Sequence, residues 1–152
     1  MKANRKNVVI EVISALFIIL FVYAALSKVQ DFEKFGVELS KSPILNVFAG
    51  QIAIVVPVLE LILSILLAVK RIQFYALYIA FTLMVVFSTY IVVILKFSAY
   101  IPCSCGGILQ NMTWNQHFVF NILFVLMAMV AILIYPKNTE DLIRGKKGRL
   151  HP

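Results

Sequence analysis

Two cysteines, Cys103 and Cys105, lie one residue apart in a segment rich in residues that turn the chain. Their alpha carbons can come within the roughly 4.4 to 6.8 Å that a disulfide accepts, but only in a small and strained ring. A strained, exposed disulfide is labile and exchanges readily with a partner thiol. Pro102 stiffens the chain before the pair, whereas Gly106 and Gly107 permit a sharp turn and leave room for a partner. The sequence therefore predicts a dithiol and disulfide couple.

Two other interpretations of the cysteine pair stay open. The thiolates could bind copper(I) or zinc with help from Met112 or His117, although this set of ligands is incomplete. The segment could also be a tight loop without any chemistry. A structural disulfide is disfavoured, because closing so short a loop stabilises a fold very little.

His117 lies in the first turn of the last predicted helix, close in sequence to the cysteines. The positive end of a helix dipole disfavours an imidazolium, so we expect a neutral ring that could accept the proton of Cys103 or Cys105. An interfacial histidine bonded to a backbone carbonyl is an equally good interpretation. Trp114 is expected to anchor the helix at the membrane interface.

Glu60 is the ionisable residue deepest inside an apolar segment. A carboxylate exposed to lipid is costly, so Glu60 must be protonated, paired or turned into the bundle. It could handle protons or face a quinone, or it could make a structural hydrogen bond. Glu11 and Gln51 lie nearer the ends of their segments and are expected to be architectural. The candidate hydrogen-bond partners of Glu60 are Ser14, Tyr23, Ser88, Thr89 and Tyr90.

The composition indicates which elements position these residues. Of 152 residues, 62% are hydrophobic and only 14% are charged, which is far too apolar for a water-soluble domain of this size. A helix needs about 20 apolar residues to cross a bilayer. Four segments qualify, at residues 8–26, 44–69, 74–95 and 114–135. The sequence therefore predicts an all-α integral membrane four-helix bundle over residues 1–136, with a first span that is retained rather than cleaved as a signal peptide.

Local signals set several boundaries. The polar residues 28–42 carry spaced apolar side chains, which indicate a short amphipathic segment at the interface. Pro57 is expected to kink the second span. Thr113 and Gln116 have the form of a capping box, so the last helix should begin at about Trp114. Pro136 should end it.

The distribution of basic residues predicts the orientation. Ten cations fall at the two ends and the middle turn: Lys2, Arg5, Lys6, Lys70, Arg71, Lys137, Arg144, Lys146, Lys147 and Arg149. Four fall on the other side: Lys28, Lys34, Lys41 and Lys96. The positive-inside rule then places both termini in the cytoplasm, with residues 137–152 as a basic tail near anionic lipid rather than a nucleic-acid surface. In a bacterial inner membrane, the cysteine loop would face the oxidising periplasm.

Three motifs together resemble a known family. Residues 21–28 read FVYAALSK and precede Asp31 and Phe35, residues 57–61 read PVLEL, and residues 102–107 read PCSCGG before Trp114, His117 and Asn121. Over about residues 8–135 the sequence resembles the methylamine-utilisation MauE family, within the wider set of DoxX-like four-helix membrane proteins. The Cys-x-Cys-x-Gly element is the most specific part of the resemblance.

The resemblance implies a role in forming or handling disulfides of periplasmic proteins, as for the cysteine-rich small subunit of methylamine dehydrogenase. Cys103 and Cys105 would take the place of the family's paired cysteines, and Lys28 and Glu60 would occupy its recurring polar positions. Many relatives have an aromatic residue where Gly106 stands. We expect a thiol-disulfide oxidoreductase or relay that works with a periplasmic thiol-containing or thioredoxin-like partner and passes electrons to a membrane quinone or a second such partner. A metal or small-solute carrier and a noncatalytic assembly subunit are the alternatives.

Overall fold

The computed structural model describes residues 2–42, 45–97 and 113–136, and the regular structure in these ranges is entirely helical. Four of the helices are long and apolar enough to cross a membrane, which confirms the predicted all-α four-helix membrane bundle. The orientation of the termini stays a prediction. The helices are α1 (Lys2–Gln30), α2 (Phe32–Ser40), α3 (Ala49–Ala68), α4 (Gln73–Phe97) and α5 (Trp114–Ile134), with a 3-10 turn at Asn46–Phe48 before α3.

The four long helices form a closed ring in which α1 packs against α3, α3 against α4, α4 against α5 and α5 against α1. Neighbouring helices are antiparallel. For example, the ring centroids of Phe74, at the start of α4, and Tyr135, just after α5, are 4.9 Å apart. The ends of α1 and α4 therefore lie beside the beginnings of α3 and α5. We call this the cysteine-loop end, because the chain that carries both cysteines leaves the described structure after Phe97 and re-enters it at Thr113.

The middle of the bundle and the end opposite the cysteine loop have an apolar core. Phe17 is fully buried and meets Phe124 edge to face, with ring centroids 5.1 Å apart, which is a favoured aromatic geometry. Three fully buried alanines, Ala80, Ala128 and Ala131, lie on α4 and α5. Small side chains let two helix backbones approach closely in a membrane, where van der Waals packing drives association.

The first helix is longer than the sequence pattern suggested. It continues through Lys28 to Gln30, although residue 28 was expected to begin a polar segment. The charge of Lys28 does not force the chain out of the bundle, because Glu60 of α3 neutralises it inside. The boundary was therefore decided by a contact between two distant parts of the chain.

The predicted amphipathic segment forms α2, which covers the beginning of α3. Phe35 and Leu39 lie one turn apart and pack against Ala49 and Ala53 of α3. Phe32, from the same apolar set, is exposed at the first residue of α2. One face of α2 therefore closes the cysteine-loop end of α3.

Two local predictions concern the capping box at the start of α5 and Pro57 inside α3. The Thr113 hydroxyl accepts a hydrogen bond from the Gln116 backbone N–H at 3.4 Å, while the Gln116 side-chain oxygen accepts one from the Thr113 N–H at 2.9 Å. This confirms the capping box and the start of α5 at Trp114. The helix α3 runs as one element through the buried Pro57.

Candidate functional site

A buried ion pair joins α1 to α3 near the cysteine-loop end. The Nζ atom of Lys28 lies 2.8 Å from Oε1 and 3.1 Å from Oε2 of Glu60, so the ammonium donates to both carboxylate oxygens. The Glu60 side chain is 1% exposed and that of Lys28 is 11% exposed. Burying two charges is tolerated only when their geometry is good and their remaining polar atoms are satisfied, and this pair meets both conditions.

Two further contacts hold the Lys28 ammonium in place. It donates to the carbonyl of Ala24, one turn earlier in α1, at 3.3 Å. It also lies 5.9 Å from the centroid of the Phe35 ring, within the range of a cation–π interaction. Phe35 belongs to the buried face of α2. The short helix α2 therefore covers Lys28 from one side while Glu60 binds it from another.

The hydroxyl groups that were expected to bond Glu60 are largely engaged elsewhere. Ser88 and Thr89 each donate to a carbonyl four residues earlier in α4, at 2.8 Å. Tyr90 donates to Ser42 at 3.3 Å, and the buried Ser14 hydroxyl has no partner within the described ranges. For Ser88 and Thr89 the expectation was wrong, because a hydroxyl inside a helix can satisfy itself on its own backbone.

Lys28 is thus the residue that sequence reasoning missed as the partner of Glu60. It was counted as one of four cations outside the bilayer. A usable signal was present, because an acidic residue inside one span needs a cation and Lys28 ends the neighbouring apolar run. The resemblance also placed both residues at recurring polar positions, but it did not join them.

His117 points into the bundle from the first turn of α5. Four residues later Asn121 is buried, and three residues after that Phe124 is buried, so all three share the inner face of the helix. The Nδ1 atom of His117 is buried and makes no hydrogen bond within the described residues. Lys28 lies near the end of α1 and His117 near the start of α5, so both lie toward the cysteine-loop end. We call the ion pair and His117 together the Lys28–Glu60–His117 cluster.

Cys103 and Cys105 lie outside the described residues, as do Pro102, Gly106 and Gly107. Their predicted roles stay predictions. Topology still relates the cysteine segment to the cluster, since the two helices that bound the segment, α4 and α5, end and begin at the cysteine-loop end of the bundle. The described residues contain no group of three or more histidine, cysteine or acidic side chains that could hold a metal ion.

A quinone would need an apolar slot beside a polar group. An open apolar groove of about 290 Å³ lies on α4, and none of the three residues of the cluster lines it. The residues that line the groove are Tyr78, Ile79, Thr82, Leu83 and Val86. The groove therefore does not connect a quinone to Glu60, and quinone use stays a prediction.

The remaining predicted polar positions are architectural or exposed. Glu11 of α1 forms an ion pair with Lys70 after α3, and both side chains are more than half exposed. Gln51 is exposed near the start of α3. Trp114 is half-buried, with its ring centroid 6.4 Å from that of His117.

Comparison with known protein families gives a match over most of the chain. The family model described as methylamine utilisation protein MauE matches residues 6–134, which is most of the chain and includes all four membrane helices except the first residues of α1. No curated protein and no solved structure shows a significant match. The matched region contains the cluster and the cysteine segment together. The chain therefore belongs to the methylamine-utilisation MauE family of membrane proteins.

Proposed function

We propose that this membrane protein performs or relays thiol-disulfide exchange through Cys103 and Cys105 at the periplasmic face of a bacterial inner membrane. One observation carries the proposal. Within the described residues, the buried charged side chains are Lys28, Glu38 and Glu60, and all of them lie toward the cysteine-loop end. Ionisable residues inside a membrane protein are costly and mark functional sites.

His117 supplies the base that such an exchange needs. A thiol must lose its proton before its sulfur attacks a disulfide, and the sulfur that leaves must regain one. In this proposal the imidazole takes the proton from an attacking thiol. The new S–S bond forms as the old one breaks, and the proton then returns to the leaving thiolate. The Nδ1 atom of His117 is buried and has no hydrogen-bond partner among the described residues, which supports this role.

The exchange requires partner proteins on both sides. A periplasmic dithiol would give two electrons to a disulfide between Cys103 and Cys105 and become oxidised itself. The two electrons would then pass to a membrane quinone or to a second, thioredoxin-like protein. Because the chain has only two cysteines, it cannot carry electrons through several internal disulfides.

The charge distribution supports a periplasmic position for the cysteine segment. Lys28, one of the four cations counted on that side, is neutralised by Glu60 inside the bundle. The remaining three, Lys34, Lys41 and Lys96, are exposed. The sequence count of ten cations on the side of the termini against four on the other side therefore remains the basis for cytoplasmic termini under the positive-inside rule.

Thiol trapping in intact cells tests the proposal. In the wild-type protein, we expect both oxidised and reduced forms of the pair, shifting with the redox state of the cells. Cys103→Ser or Cys105→Ser should accumulate a mixed disulfide with a partner, while Ser104→Ala, which keeps both thiols, should behave as wild type. Because no other cysteine is present, every trapped thiol can be assigned. A pair that is always reduced and is protected by bound copper would contradict the proposal and favour a soft-metal carrier.

A further inference from the structure

We propose that the open groove on α4 binds an acyl chain of an anionic phospholipid, whose phosphate is held by Arg71 at the end of the bundle opposite the cysteine loop. The inference concerns a lipid site and does not depend on the proposed thiol exchange. It gives a partner to an apolar face and a basic turn that the exchange leaves without a role. Charge, shape and depth in the membrane each support it.

The two ends of the bundle differ in charge. At the cysteine-loop end, the described cations are matched in number by acids: Lys28, Lys34, Lys41 and Lys96 against Asp31, Glu33, Glu38 and Glu60. At the opposite end, the exposed cations outnumber the described acid Glu11: they are Arg5, Lys6, Lys70 and Arg71. An excess of basic residues at a membrane surface attracts anionic lipid headgroups. A site for an anionic lipid is therefore expected at the end opposite the cysteine loop.

Arg71 is the exposed cation at this end that is best placed to hold a phosphate beside α4. It lies in the turn between α3 and α4, two residues before α4 begins at Gln73. Its neighbour Lys70 is engaged in an ion pair with Glu11, whereas Arg71 makes no ion pair among the described residues. A guanidinium group presents a planar fork of N–H donors that can bind two oxygens of one phosphate.

The groove has the shape of a chain rather than of a compact ligand. Its lining residues recur at helical spacing and so lie on one face of α4: Tyr78, Ile79, Thr82, Leu83 and Val86. From Tyr78 to Val86 the groove follows about 12 Å of the helix axis. Its volume of about 290 Å³ is at the lower limit of the roughly 300 to 1,000 Å³ of pockets that enclose small ligands. An elongated space of this size suits a hydrocarbon chain.

The lining offers little to a ligand that has polar atoms. The Thr82 hydroxyl donates to the backbone carbonyl of Tyr78 at 3.0 Å, so its proton is already engaged. The side chains of Ile79, Leu83 and Val86 are apolar. A peptide backbone or a quinone ring would bury carbonyl or N–H groups without partners here, which costs free energy. An acyl chain has no such groups, so it is the occupant that fits the groove.

The depth of the groove matches the layers of a bilayer. The 25 residues of α4 are about 37 Å long, whereas the hydrocarbon core is about 30 Å thick. With α4 centred, Arg71 lies among the headgroups and Tyr78 lies just inside the hydrocarbon. Tyr75, which is 69% exposed, lies between them on the same face as Tyr78 and Ile79. Tyrosine side chains favour this boundary between headgroups and hydrocarbon.

Native mass spectrometry of the full chain in detergent can test the headgroup site. Phosphatidylglycerol and phosphatidylcholine with identical acyl chains are titrated separately. The wild-type protein should bind one phosphatidylglycerol about fivefold more tightly than one phosphatidylcholine, which is the contribution of one basic residue near an anionic lipid. Arg71→Gln should bind both lipids equally. The matched control Arg5→Gln removes another exposed cation at the same end and should keep the preference.

A pair of tryptophan substitutions tests the groove. Ile79→Trp places a large ring in it, and Ile62→Trp is the matched control on α3. Ile79 lies six residues after the start of α4 at Gln73, and Ile62 lies six residues before the end of α3 at Ala68, so both rings lie at a similar depth. Both positions are about half exposed, so each variant should keep its helical circular dichroism. Ile79→Trp should bind both lipids about tenfold more weakly, which corresponds to about two methylene groups that lose their apolar contact. Ile62→Trp should bind as wild type.

Three results would overturn the inference. The first is equal binding of the two lipids by the wild-type protein, or a preference that Arg71→Gln retains. The second is wild-type lipid affinity in folded Ile79→Trp, which would show that a headgroup binds without the groove. The third is displacement of phosphatidylglycerol by an equimolar short-chain ubiquinone analogue, which would make the groove a quinone site. Phosphatidylglycerol that stays bound in this competition supports the acyl-chain site.

Discussion

Removing Lys28 and removing Glu60 should destabilise the bundle by different amounts, although each substitution breaks the same ion pair. Lys28→Met leaves a carboxyl group whose side chain is 1% exposed. The Glu60 side chain is short, so the carboxyl group has little freedom to move toward water. Removing one partner of a buried pair costs about 3–5 kcal/mol of unfolding free energy, and Lys28→Met should fall in this range.

Glu60→Leu should cost less, because Lys28 lies only two residues before the end of α1 at Gln30. A long lysine side chain near a helix end can extend to the membrane surface and keep its charge in water. We expect a loss of about 1–3 kcal/mol, as for a buried polar group that loses its partner. The double variant Lys28→Met/Glu60→Leu contains neither charge. It should lie within about 1 kcal/mol of the wild-type protein or exceed it.

Titration of the detergent-solubilised protein with sodium dodecyl sulfate can measure the unfolding free energy of the wild-type protein and of the three variants. Trp114 is the single tryptophan and is half-buried at the cysteine-loop end, so its fluorescence reports the packing there. The double variant is the control for the loss of side-chain volume. The reasoning would be refuted if the double variant lost as much unfolding free energy as the two single variants lose together. It would also be refuted if Glu60→Leu were less stable than Lys28→Met.

Three further substitutions test the described packing. Phe17→Ala should lower the unfolding free energy by about 3–5 kcal/mol in the same titration, because it leaves a cavity against Phe124; a loss below 1 kcal/mol would contradict this. Thr113→Ala should cost about 1 kcal/mol and speed amide hydrogen exchange at Gln116, and unchanged exchange would argue against the capping box. Glu11→Gln should change stability by less than about 1 kcal/mol, since its ion pair is largely exposed, and a larger loss would show that the pair is not a surface contact.

Local patterns were sufficient to predict most of the fold. The four apolar segments needed only length and composition, because a chain in lipid must satisfy its backbone within each helix. The start of α5 was also predictable, since Thr113 and Gln116 are three residues apart and the capping box forms within one turn. The amphipathic helix α2 followed from its spacing, although Phe32, its first residue, is exposed while Phe35 is buried.

The prediction was less successful where two spans meet. The sequence identified Glu60 as a buried acid that needs a partner, but its proposed partners were hydroxyl groups. The actual partner, Lys28, lies 32 residues away in the chain and was assigned to the interface. Spacing along one helix cannot predict such a pair, because it depends on the relative rotation and height of α1 and α3. Those two quantities are set by the packing of both helices together.

The sequence alone determined that this protein is a four-helix membrane bundle, that His117 lies in the first turn of its last helix, and that Cys103 and Cys105 are its only thiols. These are properties of composition, periodicity and local capping. Only the tertiary structure decided that Lys28 is buried on Glu60, and that this pair and His117 lie toward the helix ends from which the cysteine segment extends. The reason is physical: a buried charge is stable only beside its partner, and helix packing brings the two together.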